Sequence, residues 1–257
     1  MKHNAKILHL DIETAPTNCY SWSLWPKFIS PSDIQQPGYT LCWAAMWEGE
    51  REVKFSRYDE KDNGLKMIQE IWDLLDEADM VVHYNGTKFD IPTLHREFAV
   101  LGLGPPSHFH EIDLIKTVRK RFRFESNKLD YVCQRLGLGA KTHHKGMSLW
   151  YGCMEGKESD WKVMTRYNKQ DVKLLRKLYK KLLPWITNHP NLGMWVEHKN
   201  GKLACCHCGS TNLQKKGTQF NTKSQSYDRY KCGTCGTPQR DTIRNGNAPV
   251  LKTTRTP

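Results

Sequence analysis

The sequence predicts an α/β fold with a mixed sheet flanked by helices, followed by a small metal-binding module near the C-terminal end. Two observations predict the main fold: short apolar runs of strand length come first, and such runs then alternate with segments of helical periodicity. Two closely spaced cysteine pairs indicate the small module. A length of 257 residues accommodates one sizeable domain and a small one.

Apolar periodicity and turn residues locate the individual elements. The predicted strands are Lys6–Leu10, Thr40–Trp47, Glu52–Phe55, Met80–His83 and His110–Leu114. The predicted helices are Leu65–Leu75, Pro92–Val100, Ser126–Leu136 and Asp160–Leu183. Pro92 suits the first position of a helix, because the N–H that proline lacks would have no partner there.

Four regions follow from these elements: a main domain over 1–187, a linker over 188–202, the cysteine module over 203–240 and a tail over 241–257. We expect the tail to be disordered because it is polar and lacks hydrophobic periodicity. The sequence contains no run of about 18 apolar residues, so it predicts no membrane-spanning helix. The N-terminal residues do not resemble a signal peptide, so we expect a cytoplasmic or equivalent reducing compartment rather than secretion.

The net charge of +12 is concentrated near the C-terminal end. Residues 199–257 carry 11 lysines and arginines against two aspartates, whereas residues 1–198 carry a net charge of only +3. A basic module favours polyanion binding, because neutralising phosphates releases condensed counterions. A solvated basic tail is the alternative, but we predict nucleic acid as the partner and no membrane.

Acidic residues follow two predicted strands and recur in the long helix. Asp11 and Glu13 directly follow the first strand, and they point to one face because strand side chains alternate. Asp90 follows the fourth strand by a short loop, and Asp171 lies one helical turn after Tyr167. Each has an ordinary explanation when taken singly; Asp90, for example, could cap a helix. If the four carboxylates converge, their repulsion requires cations, and carboxylate ligands suit Mg²⁺ or Mn²⁺.

The order and spacing of these residues resemble the DEDD superfamily of 3′–5′ exonucleases. That family's first motif, an apolar strand ending in Asp-x-Glu, is matched by residues 8–14, and its second, Asn followed by an aromatic residue and Asp, by residues 85–90. Its third motif, Tyr-x-x-x-Asp, is matched by residues 167–171. The histidine subgroup has His where this chain has Arg166. The chain is therefore similar to the tyrosine subgroup, DEDDy, and to the proofreading domains of family B DNA polymerases.

The resemblance implies a ribonuclease-H-like fold over about residues 5–185 and a set of active-site roles. It implies that two Mg²⁺ or Mn²⁺ ions are held by four carboxylates, those of Asp11, Glu13, Asp90 and Asp171, with Asp11 bridging the ions. It implies that Tyr167 orients the attacking water. The reaction of the family is stepwise release of nucleoside 5′-monophosphates from a 3′ end.

Several residues near the motifs are weaker candidates. Substrate contacts are predicted, with solvated loop positions as the alternative, for Asn85, Lys128, His144 and Lys145. Asp113 could support the site or cap a helix, and we favour the cap. The aromatic side chains after the first motif could stack on terminal bases, but we favour core packing for Trp22, Trp25 and Phe28.

The cysteine pairs Cys205-x-x-Cys208 and Cys232-x-x-Cys235 have the spacing of a structural zinc site with four thiolates. Cys206 is a competing ligand, as is the histidine after it, but the paired spacing favours Cys205. The module resembles a zinc ribbon, in which one zinc ion replaces the core that so short a segment cannot build.

We therefore expect a metal-dependent 3′–5′ exonuclease that acts on single-stranded ends, with DNA favoured over RNA. Three alternatives stay open: an RNA 3′-end exonuclease, a structure-selective endonuclease, and a non-catalytic protein whose zinc ribbon binds nucleic acid. The sequence names no protein partner.

Overall fold

The strand β1 (Ile7–Thr14) lies at the centre of the larger of two units in the computed structural model. The model describes residues 4–196, 203–217, 220–221 and 225–245. The larger unit spans Lys6–Tyr179, and the smaller one combines the residues before Lys6 with the chain from Lys180 onward.

The larger unit contains a five-stranded mixed sheet, which confirms the predicted mixed sheet. Besides β1, its strands are β4 (Thr40–Trp47), β5 (Lys54–Arg57), β6 (Met80–His83) and β7 (His110–Asp113). Their order across the sheet is β5–β4–β1–β6–β7. The β4 strand pairs antiparallel with β1 and β5, whereas β6 pairs parallel with β1 and β7. The β1 strand extends four residues beyond the predicted end at Leu10, so Asp11 and Glu13 lie within it. Strand β6 pairs only with Ile7–His9, which leaves that edge of β1 open beside the two acids.

The side chains of β1 alternate between the two faces of the sheet. Leu8, Leu10 and Ile12 are buried in one apolar cluster together with helices α1 (Leu65–Glu77) and α2 (Asp90–Val100). Full burial of each such side chain stabilises the fold by about 2 kcal/mol. Because strand positions alternate, the odd-numbered residues of β1 point to the opposite face.

The long helix α6 (Glu158–Leu182) covers that opposite face, within two residues of its predicted start. Two short helices, α3 (Leu114–Arg121) and α5 (Ser148–Met154), were not predicted, since two turns leave little periodicity to detect. The predicted strand end Leu114 is the first residue of α3, because Asp113 caps that helix by accepting from the backbone N–H of Ile115. The helix α4 (Leu129–Arg135) begins three residues after the predicted Ser126, and α2 begins at Asp90 rather than Pro92.

Between β1 and β4 the chain leaves the sheet and returns through a two-stranded pair, β2 (Asn18–Cys19) and β3 (Ile34–Gln36). The segment 20–29 beyond this pair, here called the aromatic arm, projects its large side chains outward. Trp22 is fully exposed, and Trp25 and Phe28 are 89% and 79% exposed. The prediction that these three pack in the core is therefore wrong.

The smaller unit contains a second sheet near the cysteines. Its strands are β8 (Leu213–Lys215), β9 (Phe220–Asn221), β10 (Ser226–Cys232) and β11 (Pro238–Arg244). β10 pairs antiparallel with all three of the others. The β11 strand continues four residues past the predicted module end at 240, so the start of the predicted disordered tail is a strand; residues 246–257 lie outside the described residues.

The larger unit ends at Tyr179, eight residues before the predicted domain end at 187, and Lys180 already belongs to the smaller unit. Within the predicted linker 188–202, a short 3-10 helix forms at Leu192–Trp195, and the N–H of Leu192 donates to the carbonyl of Cys206 at 2.7 Å. Residues 197–202 lie outside the described residues. Among the residues that the model describes, no helix combines the length and apolar character needed to cross a membrane.

Candidate active site

Three of the four predicted acidic ligands meet at the open edge of β1. Carboxylate oxygens of Asp11, Glu13 and Asp171 all lie within 4.8 Å of one another. Asp90 stands beside this group rather than within it, and its Oδ1 accepts a hydrogen bond from the N–H of Ile12 at 3.1 Å. That bond holds the Asp90 carboxylate against the backbone between the two acids of β1.

The loop from β6 to α2 positions Asp90. Asn85 adopts a left-handed conformation with φ of 70°, which turns the chain back toward β1. The N–H of Gly86 donates to Nδ1 of the buried His83 at 3.1 Å, and Nε2 of that ring lies 3.1 Å from Oε2 of Glu111. The N–H of Asn85 donates to Asp113 at 2.8 Å, so Asp113 supports this loop as well as capping α3 as predicted.

Burial and mutual repulsion disfavour the charged forms of these acids. Burial, followed by the charges of Asp171, Glu13 and Asp90, raises the pKa of Asp11 well above its usual value. Burial raises the pKa of Glu13 to about 8 and that of Asp90 to about 6. An additional cation at this site would relieve both effects.

Two residues that the motifs did not indicate complete the site. The Lys141 ammonium donates to the Tyr167 hydroxyl at 3.1 Å and forms an ion pair with Asp171. Asn168 is fully buried, and its Nδ2 donates to Oδ2 of Asp11 at 2.7 Å. Its spacing of three residues from Asp171 puts both on one helical face, which is the signal that could have found it. Lys141 lies in a loop and leaves no comparable pattern.

Tyr167 is predicted to orient water, and its environment fixes its ring. The rings of His144 and Trp150 approach it edge-on, with centroids 4.8 Å and 6.1 Å away. Burial and the charge of Asp171 raise the pKa of the Tyr167 phenol above its usual value, so the hydroxyl stays protonated at neutral pH.

A cleft of about 820 Å³ opens beside Asp11 and Tyr167. Three of the four predicted substrate contacts line it: Asn85, Lys128 and His144. Lys145 does not, because its Nζ pairs with Oδ1 of Asp160 on α6 at 2.9 Å. Arg119 and Lys141 also line the cleft and add positive charge.

A larger cleft of about 980 Å³ in the same unit contains none of the predicted site residues. It is lined by both signs of charge, and Arg57 there pairs with Glu158 at 2.7 Å. Of these two clefts, only the smaller one adjoins the clustered carboxylates.

The four predicted cysteines form the second cluster. The sulfur atoms of Cys205, Cys208, Cys232 and Cys235 lie within 4.8 Å of one another, with the Cys205–Cys235 and Cys208–Cys232 pairs at 3.6 Å. Tetrahedral zinc with Zn–S bonds of about 2.3 Å requires sulfur separations of about 3.8 Å. Cys206 is outside this group, and Nδ1 of His207 lies 2.8 Å from the carbonyl of Leu183. The cluster is compatible with a zinc ribbon.

Comparisons with known proteins agree with this architecture. A model of the RNase H superfamily matches residues 35–183, and the chain belongs to that superfamily. The family B DNA polymerase from the hyperthermophilic archaeon Pyrobaculum calidifontis has a similar structure, with a TM-score of 0.54 and 20% sequence identity. The match covers 70% of this chain and 25% of the polymerase, so this chain corresponds to about a quarter of its length. No curated protein matches the chain. Asp11 and Glu13 precede the residues that the family model matches.

The raised pKa values predict a pH-dependent effect of Mg²⁺ on stability. The pKa of Glu13 is about 8 in the metal-free fold against 4.5 ordinarily, so the folded protein retains a proton that the unfolded chain has lost. Stability without metal should therefore fall as pH rises from about 5 to about 8. A divalent cation held by these carboxylates would displace that proton, so the increase in Tm caused by added Mg²⁺ should grow over the same range. Thermal denaturation in Mg²⁺ and in EDTA measures this increase in Tm. An equal increase at pH 5.5 and at pH 8.5 would contradict the prediction.

Gly86→Ala tests the loop that carries Asp90. A Cβ at this position would lie 2.4 Å from Cγ of the His83 ring, so either the loop or the buried ring must move. We expect a loss of about 1–3 kcal/mol in the free energy of unfolding, measured with urea. Gly104→Ala is the matched control, because a Cβ there meets nothing within 4 Å. Equal stability of the two variants would show that the contact does not constrain the loop.

The cysteine cluster predicts which thiols hold metal. Elemental analysis of the purified chain should find one zinc per molecule, and Cys205→Ser should lower the occupancy or the affinity measured with a chelating dye. Cys206→Ser, one residue away, should retain wild-type zinc. Loss of zinc in the Cys206→Ser variant with retention in Cys205→Ser would reverse the assignment.

Proposed function

We propose that the chain is a metal-dependent 3′–5′ exonuclease that releases nucleoside 5′-monophosphates, with single-stranded DNA as the favoured substrate. The observation that carries the proposal is the meeting of Asp11, Glu13 and Asp171 within 4.8 Å, beside the hydroxyl of Tyr167 and a cationic cleft. The RNase H-like fold supports nuclease activity in general. The 3′–5′ direction comes from the resemblance of the three motifs to the tyrosine subgroup.

The donor set fits divalent cations such as Mg²⁺ or Mn²⁺. The three clustered groups offer only carboxylate oxygens, which these hard cations prefer. Oδ1 of Asp171 is buried and has no hydrogen-bond partner among the described residues, so it has a free acceptor for a cation. Asp11, Glu13 and Asp171 would hold the metal, with Asp90 as the fourth proposed ligand. Two bound ions would stabilise the attacking and leaving oxygens of the phosphodiester.

The surrounding residues orient these groups. Asn168 fixes one oxygen of Asp11 by donating to it, which leaves the other oxygen for a cation. Tyr167 keeps its proton and, with Lys141 as donor to its oxygen, can present its O–H to the attacking water. Lys141 also offsets part of the negative charge of the site through its ion pair with Asp171. This preorganisation is the chain's own contribution to stabilising negative charge on the reacting phosphate.

Basic surfaces in both units support binding of a polyanionic substrate. The active-site cleft includes Arg119, Lys128 and Lys141. In the smaller unit, a cleft of about 450 Å³ is lined by Tyr230 and Pro238 together with four cationic side chains, those of Lys215, Lys216, Arg229 and Lys231. We propose that this ribbon surface captures nucleic acid through its phosphates, with the affinity falling steeply as salt rises.

Asp171→Asn tests the catalytic proposal directly. The substitution keeps the shape of the side chain but removes a charged ligand, so turnover should fall by about 100-fold or more. The assay uses 5′-labelled single-stranded DNA and RNA of one sequence, with Mg²⁺ or EDTA. Asp73→Asn, on the exposed face of α1, is the matched control and should retain activity.

The products separate the alternatives. A ladder shortened stepwise from the 3′ end, with mononucleotides released, supports the exonuclease, and the faster of the two substrates identifies DNA or RNA. Internal oligomers would show an endonuclease. Binding with no Mg²⁺-dependent cleavage of either substrate would contradict the proposal and leave a non-catalytic binding protein.

A further inference from the structure

The aromatic arm, residues 20–29, carries several exposed apolar side chains that the active site does not account for. Its exposed residues include four with planar rings: Tyr20, Trp22, Trp25 and Phe28. Leu24 is also 92% exposed. Exposed apolar side chains that are concentrated on one surface segment often mark a binding site.

Local hydrogen bonds order the arm in this outward conformation. The N–H of Tyr20 donates to the carbonyl of Asp33 at 3.0 Å, extending the β2–β3 pair to the base of the arm. The Ser21 hydroxyl donates to the carbonyl of Ser23 at 2.7 Å, and the Ser23 hydroxyl accepts from the N–H of Trp25 at 3.2 Å. These turns give partners to part of the arm's backbone without burying the rings. The rings are therefore presented on a structured stem.

The arm emerges directly from the strand that carries the acidic cluster. Only six residues separate Glu13 from Tyr20. The N–H of Ala15 donates to the carbonyl of Tyr39 at 2.9 Å, which closes the base of the excursion, and Ala15 packs in the same apolar cluster as Tyr167. The arm is thus anchored on the framework of the active site.

The charge of this segment suits a polyanion. No aspartate or glutamate occurs between Glu13 and Asp33, although the chain contains 27 acidic residues, and Lys27 lies among the rings. Four of the exposed apolar side chains are aromatic, which provides planar faces rather than a general aliphatic surface. Bases of any sequence stack on such faces.

We propose that the arm is a base-stacking platform for single-stranded nucleic acid, formed by Tyr20, Trp22, Trp25 and Phe28. It binds unpaired bases of the strand, while the cationic clefts bind phosphates. Its role in turnover rests on the proposed nuclease function, but its binding of bases does not. A second copy of this chain is the competing occupant, and the test distinguishes it.

Binding of a fluorescently labelled oligothymidylate to the full chain, measured by anisotropy in EDTA, tests the platform without cleavage. Stacking contributes about 1–3 kcal/mol per base, so Trp22→Ala combined with Trp25→Ala should weaken binding by at least about 10-fold. The Trp22→Phe, Trp25→Phe pair should restore most of the affinity, because the faces are retained. Leu24→Ala is the matched control, equally exposed but not planar, and should bind within about 2-fold of wild type.

An abasic oligonucleotide of equal length supplies the phosphates without the bases. Wild type and the double alanine variant should bind it equally, and circular dichroism should show both to be folded. The proposal is overturned if the double alanine variant binds oligothymidylate like wild type, or if it loses affinity equally for the abasic strand. It is also overturned if Leu24→Ala weakens binding as much and light scattering shows that the variants dissociate a dimer. The binding assay contains EDTA and requires no turnover, so failure of the nuclease proposal would leave this result unchanged.

Discussion

Repulsion among buried carboxylates is the constraint on which the active site depends. Asp11, Glu13 and Asp171 are held close together in a partly dehydrated place, and burial raises the pKa of each above its usual value. Lys141 offsets part of the charge through its ion pair with Asp171, and Asn168 donates to Asp11. Full ionisation of the cluster therefore requires further positive charge, which the proposed divalent cations would supply.

The apolar core provides the rigidity that this arrangement requires. Leu8, Leu10 and Ile12 fix β1 against α1 and α2, and the two acids consequently face α6. The early end of the β1–β6 pairing opens the edge at which the loop carrying Asp90 returns. Each acid is therefore positioned by an element whose own placement comes from hydrophobic burial. The cysteine module differs, because its thiols converge where little apolar surface is available.

The sequence predicted what depends on order and periodicity. Alternation and apolar spacing predicted the mixed sheet, the long helix α6 and the shared face of Asp11 and Glu13. The cysteine spacing predicted the four clustered thiols. The contacts of Lys141 could not be predicted, because this residue lies in a loop whose sequence has no periodicity. The prediction for the arm was wrong for another reason. An aromatic residue type occurs both in cores and on surfaces, so the sequence alone did not show whether Trp22 is buried or exposed.

Crystals of the chain grown or soaked with Mn²⁺ would test directly whether these carboxylates bind a cation, because anomalous scattering locates the ion independently of any activity. We predict an anomalous peak bounded by the carboxylates of Asp11, Glu13 and Asp171, and its disappearance in the Asp171→Asn variant. Ordered Mn²⁺ bound elsewhere on the larger unit, with none among these three carboxylates at neutral pH, would contradict this prediction.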